Sequence, residues 1–257
     1  MSDNLQEKLS VLIITFNEEL HIKSLLEDID FADEIIVVDS FSTDRTVDII
    51  KSFEHVRCIQ HHFSDYTSQR NFTLEQAKND WVLFIDADER VTPELKREII
   101  KSINSPGLVA AYFMYRTFMF KDKKLRFSGW QTDKIYRLFN KTKCRYNEEK
   151  LVHEKLIVEG ETGILQNKLI HYSFKSFQDY KRKMYNYGVL KANERLQKGQ
   201  QASLFLLIFH PVYTFLYQFV IRLGFLDGIK GITICYLNAY STFIRYKELK
   251  KLTSSRI

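Results

Sequence analysis

Strand-like and helix-like segments alternate through the first hundred residues, and this alternation limits the fold more than any other feature of the chain. Residues 9–15 (LSVLIIT), 34–39 (EIIVVD), 56–60 and 81–85 (WVLFI) read as strands. Between and after them, residues 18–29, 43–53, 68–78 and, from Pro93, about 93–103 carry apolar side chains at helical spacing or helix-start signals. Such a succession predicts an α/β fold with a mostly parallel, doubly wound sheet. Ligands of these sheets bind outside the carboxyl ends of the strands. Thr15–Glu18, Asp39–Asp44 and Asp86–Glu89 follow strands directly, so three polar clusters are expected on one edge.

Beyond Pro106 the texture changes. Residues 109–116 and 135–139 read as further strands, joined by a basic loop (121–126) and Ser128-Gly129-Trp130. Residues 176–197 read as a Lys-rich helix, and residues 199–221 contain no Asp, Glu, Lys or Arg. Charge divides along the same line. Residues 1–105 hold 11 Lys and Arg against 21 Asp and Glu, whereas residues 106–257 hold 27 against 11. A basic second half suggests an anionic partner such as phospholipid, a phosphorylated glycolipid or nucleic acid, although solvated surface lysines would look the same. No nucleic-acid-binding motif accompanies the charge, so no nucleic-acid partner is expected. Cys58, Cys144 and Cys235 are widely spaced and odd in number, which fits reduced thiols in the cytoplasm and offers no metal framework. The opening MSDNLQEK lacks a secretory apolar stretch, which points the same way.

Asp86-Ala87-Asp88 is the strongest local signal. Two carboxylates one residue apart at a strand end can share Mg²⁺ or Mn²⁺ with the diphosphate of a nucleotide, and such a cation stabilises charge on a departing diphosphate. Asp39 ends an apolar strand and can accept the imide N–H of a uracil. Phe16 can stack on a base or simply pack in the core. Ser42 and Asp44 read as helix caps.

The runs SVLIITFNEE, DEIIVVDSFSTDRT and SQRNFTLEQAKNDWVLFIDADERVTPEL, followed by SGWQTDKIYRLF, LVHEKL, LIHYSF and RLGFLDGIKG, cover nearly the whole chain. Together they resemble inverting glycosyltransferases of family 2, with the GT-A fold, and in particular the branch of lipopolysaccharide core β-1,4-glucosyltransferases. The resemblance implies a nucleotide-sugar site lined by Thr15, Phe16, Glu18, Asp39, Arg70 and Asp86, with Asp88 and Asp86 on the metal. Many relatives supply the catalytic base from an (E/T)D motif that is absent here. Val152-His153-Glu154 occupies that stretch, giving Glu154 as the base and His153 as its orienter or a metal-side ligand, with Asp133 the next choice. The processive signature QxxRW is also absent, which implies one sugar per acceptor. Trp130 can form an acceptor platform or be a structural tryptophan.

The expected organisation is a GT-A catalytic domain over 1–175, with a nucleotide-sugar half (1–105) and an acceptor half (106–175), and a helical extension over 176–257. Residues 199–221 and 231–244, flanked by Arg222, Lys230, Arg245, Lys247, Lys250 and Lys251, read as two helices lying in the membrane interface. A transmembrane helix and a buried helical cap are the other readings of this segment. The function expected is transfer of one hexose from a UDP-sugar to a lipid-linked or lipopolysaccharide-type glycan at the cytoplasmic face of the inner membrane. A sugar-phosphate nucleotidyltransferase is the alternative, but Thr15-Phe16-Asn17-Glu18-Glu19 has no glycine for a phosphate loop. A non-enzymatic basic membrane module is the third reading.

Overall fold

The structure, a computed structural model, describes residues 6–120, 123–129, 133–147, 156–174 and 176–254, with the side chains of 173 and 174 excepted. The chain forms two compact units, one comprising Met1–Arg116 with Lys134–His171 and the other Thr117–Asp133 with Tyr172–Ile257.

In the first unit the elements run β1 (Leu9–Thr15), α1 (Ile22–Asp28), β2 (Glu34–Asp39), α2 (Thr46–Lys51), β3 (Val56–Gln60), α3 (Tyr66–Glu75), β4 (Trp81–Asp86), β5 (Glu89–Arg90) and α4 (Pro93–Asn104). Then come β6 (Val109–Phe120), which continues into the second unit, β7 (Lys123–Lys124), which lies wholly in the second unit, β8 (Lys134–Asn140), β9 (Cys144–Tyr146), β10 (Leu156–Val158), β11 (Glu161–Ile164) and β12 (Leu169–Phe174), which passes into the second unit after His171. The main sheet has the order β3-β2-β1-β4-β8-β6-β12-β5. Strands β1, β2, β3 and β4 are mutually parallel, and β8 runs antiparallel to both β4 and β6. This is the mostly parallel GT-A arrangement expected.

The continuous apolar runs follow from burial on both faces. Val11, Ile13, Ile35, Val37, Leu83 and Ile85 pack with α1 and α4, while Leu12, Ile36, Val38, Val82 and Phe84 pack with Leu74 and Ala77 at the end of α3. Helix α4 shows the local logic. The Thr92 hydroxyl accepts the Leu95 N–H at 3.3 Å, Pro93 opens the first turn, and Leu95, Ile99 and Ile103 place one buried residue per turn.

Two helices start later than their sequence patterns suggest. Helix α1 begins at Ile22 and not near Glu18, and α2 begins at Thr46 and not at Thr43. The intervening backbone is spent on cross-links between the two loops. The Asn17 side chain accepts the Thr43 N–H at 2.8 Å, and Glu19 accepts that of Arg45 at 3.1 Å. In return, Ser42 Oγ accepts the Asn17 N–H and Thr46 Oγ1 the Glu18 N–H, both at 2.8 Å. Ser42 therefore braces a loop and does not cap a helix; Asp44 accepts the Thr46 N–H at 2.9 Å, close to the capping role expected.

The second unit contains α5 (Phe177–Gln197), α6 (Leu204–Leu216), a π turn (Tyr217–Ile221), a 3₁₀ turn (Gly224–Asp227) and α7 (Gly228–Ser254). Here the structure corrects a sequence expectation. Residues 231–244 are no separate short interfacial helix but the middle of α7, with Ile234, Cys235, Leu237 and Ile244 buried. Small residues allow that burial. A Cβ on Gly231 would lie 1.9 Å from the Gly224 carbonyl oxygen, and one on Gly188 would lie 2.7 Å from that of Ser241. Helix α6 is the opposite case, with none of its residues buried. The segment Leu204–Ile221 has mean hydropathy 1.8 over 18 residues, enough by length and composition to cross a membrane.

Candidate active site

Strand ends place the site. Thr15 and Asp39 are register partners at the ends of β1 and β2, and Ile14 pairs with Asp86 at the end of β4. The loops that follow carry exposed aromatics, Phe16 at 55% and Phe41 at 41% exposure. Asn17 and Phe41 both hold left-handed backbone, with φ of 55° and 59°. A non-glycine residue there is uncommon and is kept only where its surroundings over-determine it; the cross-links of Asn17 and Ser42 do so.

Asp39 is fully buried. Its carboxylate accepts the Ser42 N–H at 2.8 Å, the Ser42 hydroxyl at 2.5 Å and the Gln60 amide at 3.4 Å. It thus fixes the β2–α2 loop from below. Thr15 is buried beside it, and its hydroxyl has no hydrogen-bond partner among the described residues. Glu18 is half-buried in the loop after Phe16.

The second cluster is ionic. One Asp86 oxygen accepts from Arg70 Nη2 at 3.1 Å, and the other is bound by Arg137 Nη2. Arg137, only 1% exposed, also donates to Glu89 Oε1 at 2.8 Å, and Arg116 reaches the same oxygen at 3.5 Å. Glu89 Oε2 accepts the Asp86 N–H at 2.9 Å, closing the turn from β4 into β5. Burial pushes the Asp86 carboxyl up, but the Arg137 and Arg70 guanidiniums outweigh it and hold the group far below the usual carboxylate range. Burial likewise pulls the Arg137 guanidinium down, and the two carboxylates more than reverse that. The Arg70 guanidinium lies over the Phe84 ring, 4.6 Å from its centroid.

Asp88 has a different neighbour. Its carboxylate meets His171 Nε2 at 3.2 Å, and His171 lies opposite Glu89 where β12 pairs with β5. Among the described residues no three His, Cys, Asp or Glu side chains gather as a ready-made metal cage. A carboxylate oxygen and an imidazole nitrogen still fit a hard divalent cation that completes its shell with water and substrate oxygens.

The structure sets Thr15 beside Asp39 at the strand ends, and it pairs Arg70, expected from sequence to line the nucleotide-sugar site, with Asp86. Asp133 belongs to the second unit, and Trp130, His153 and Glu154 lie outside the described residues. Sequence reasoning passed over Arg116, Arg137 and His171, and it recorded Glu89 only as part of a polar cluster. Arg137 did leave a signal, a lone guanidinium inside the apolar run IYRLF; so did His171 inside LIHYSF.

Residues 10–160 match the family described as glycosyl transferase family 2. An uncharacterised glycosyltransferase of Rickettsia typhi is 30% identical over 96% of this chain and 88% of its own length. A lipopolysaccharide core biosynthesis glycosyltransferase, LpsC, of Rhizobium meliloti is 26% identical over 93% of each chain. Among solved structures, TarS of S. aureus superposes with a TM-score of 0.50 at 16% identity, over 96% of this chain and 55% of that one, a likeness of fold.

Proposed function

The chain belongs to glycosyl transferase family 2, and from that premise we propose that it moves a single hexose from a UDP-sugar, with inversion, onto a membrane-associated glycan such as a lipopolysaccharide core. The observation that carries this reading is the division of labour in Asp86-Ala87-Asp88. Both Asp86 oxygens are engaged by arginines, whereas Asp88 faces an imidazole at 3.2 Å. A divalent cation, Mg²⁺ or Mn²⁺, is held in this reading by Asp88 with His171. When bound it neutralises charge on the leaving diphosphate. Asp86 sits next to that position with its charge fixed, as the ribose-side carboxylate. The base lies over the ends of β1 and β2, against exposed Phe16, with Thr15 and Asp39 beneath and Glu18 at the edge. The buried Thr15 hydroxyl, lacking a hydrogen-bond partner among the described residues, is available to the donor. Arg70, clamped over Phe84, orders the same floor.

Transfer of one sugar rests on the missing processive motif. The acceptor class is suggested by the lipopolysaccharide core relative together with exposed, uncharged α6, and the place of action in this reading is the cytoplasmic face of the inner membrane. Residues 1–175 constitute the catalytic part and 176–257 the membrane-facing extension; Trp130 offers an indole face to the acceptor.

Titrating UDP by calorimetry with and without Mn²⁺ tests the donor site. The metal is expected to tighten UDP roughly tenfold or more, an increment absent in Asp88→Ala. UDP binding that ignores both metal and variant would overturn the reading. The base is tested separately. Glu154→Gln is expected to keep donor affinity while turnover falls roughly 10²–10⁴-fold, because a general base acts in the transition state. If turnover is unchanged, the role passes to Asp133, and His153 loses its part as orienter.

A further inference from the structure

A second, unassigned site is built into the helical unit. The end of β6 turns back through β7, pairing Phe120 with Lys123 and Met119 with Lys124. Lys123, Lys124 and Arg126 are all exposed on this arm. The arm is nevertheless firmly placed. Asp227 accepts the backbone N–H of Arg126 at 3.0 Å and of Phe127 at 2.9 Å, and Lys230 Nζ donates to the Phe120 carbonyl at 3.0 Å. Between them, Leu125 is buried with Phe118, Phe120, Ile234 and Leu237. The result is an open cavity of about 430 Å³ lined by Lys123, Lys124, Arg126, Leu226, Asp227 and Lys230.

Four cations therefore share a cavity with one carboxylate, and that carboxylate is already occupied by loop amides. Positive charge is in excess where an anion has room to enter. Charge alone does not identify the ligand, but the apolar residues beside it do. Leu226, in the lining itself, is 54% exposed, and Phe225 and Ile229, next in the chain to Leu226 and Lys230, are 46% and 83% exposed. A free anion or a nucleic acid backbone gives these apolar side chains nothing to contact. A lipid bilayer satisfies both, with phosphates at headgroup level and hydrocarbon just below.

We propose that this cavity receives the phosphate-bearing headgroup of an anionic membrane lipid, with Leu226 and Ile229 entering the acyl boundary beside it. The proposal deepens the membrane part of the proposed function and rests on it.

The test uses the full chain in sedimentation with phosphatidylcholine vesicles, alone or with about 30% phosphatidylglycerol. The wild type is expected to prefer the anionic vesicles. Lys123→Glu with Lys124→Glu, both at exposed positions, is expected to reduce that preference at least roughly tenfold and leave binding to neutral vesicles unchanged. Reversing the exposed Lys181 and Lys183 on α5 is the charge-matched control. An equal loss there, or a retained preference in the Lys123/Lys124 variant, overturns the proposal while the membrane reading stands. Saturable binding of inorganic phosphate, lost in the Lys123/Lys124 variant without any vesicle preference in the wild type, overturns the lipid as the source. Phe205→Asp with Phe209→Asp on α6 tests the reading beneath it and is expected to weaken binding to both vesicle types. A wild type that sediments with neither vesicle overturns both.

Discussion

Replacing Arg137 by leucine is expected to destabilise the protein by about 3–5 kcal/mol, the usual cost of stranding a buried carboxylate by deleting its partner. The guanidinium sits on β8 between Asp86 and Glu89, and neither it nor Glu89 reaches solvent. Without it, Glu89 keeps only Arg116 at 3.5 Å and the Asp86 N–H, and Asp86 keeps Arg70. Lysine at 137 restores a charge but not the fork that serves two carboxylates, so an intermediate loss is expected. Arg137→Leu with Glu89→Leu is expected to recover part of the loss, since no unpaired charge then remains at 89. pH supplies an independent check. Because the folded Asp86 carboxyl is held well below its ordinary value, its contribution is present above the unfolded carboxylate range, near pH 4. That contribution is lost as pH falls toward the lower folded value. Leucine removes the largest opposing charge and lets burial raise the group, so acidification costs the variant less. Urea midpoints followed by tryptophan fluorescence should therefore differ widely at pH 7 and converge as pH falls below about 4. Equal midpoints at pH 7 would refute the assigned role of the ion network.

The same residue marks the limit of what the sequence discloses. Strands β1, β2 and β4 were legible because a strand buried on both faces must be apolar throughout, and EIIVVD or WVLFI leaves few other possibilities. Helix starts were less legible. Ser42, which read as a cap for α2, instead bonds across to the other loop, 25 positions away at Asn17. Local pattern cannot report a partner at that separation. Arg137 and Glu89 are 48 positions apart, and His171 and Asp88 are 83 apart. A charged residue inside an apolar strand signals that a partner exists without saying which. The last two helices show the same ambiguity in apolar form. Composition makes both α6 and the middle of α7 look interfacial, yet α7 is buried and α6 exposed. The distinguishing signal was the run of small residues, Gly231, Ala239 and Ser241, which permits the close packing found in α7.

His171→Ala is expected to remove the manganese-dependent part of UDP binding, a loss of at least roughly tenfold, comparable to or larger than the effect of losing an outer-shell partner. Asp86 is two positions away from Asp88 in sequence, but both its oxygens are bound by arginines, and turning either toward a cation would break one of those ion pairs. Asp88 and His171, 3.2 Å apart, bring a carboxylate oxygen and an imidazole nitrogen together at the same strand end. The pair would hold the cation, which would take its remaining ligands from water and donor oxygens. Strand pairing holds the imidazole in position, since His171 sits opposite Glu89 and Leu169 is buried two residues before it. Alanine at 171 also leaves space in a mostly buried position, so stability must be separated from ligation. His171→Gln retains bulk and a hydrogen bond to Asp88 but offers a poorer donor, so it should keep the urea midpoint and still lose the manganese increment. Metal-free UDP affinity should change little in either variant, because the proposed base and ribose contacts lie elsewhere. The double variant with Asp88→Ala should lose no more than Asp88→Ala alone, since two ligands of one ion act as a unit. Additive losses, or a full manganese increment in His171→Ala, would place the cation away from this pair and return the metal assignment to Asp86.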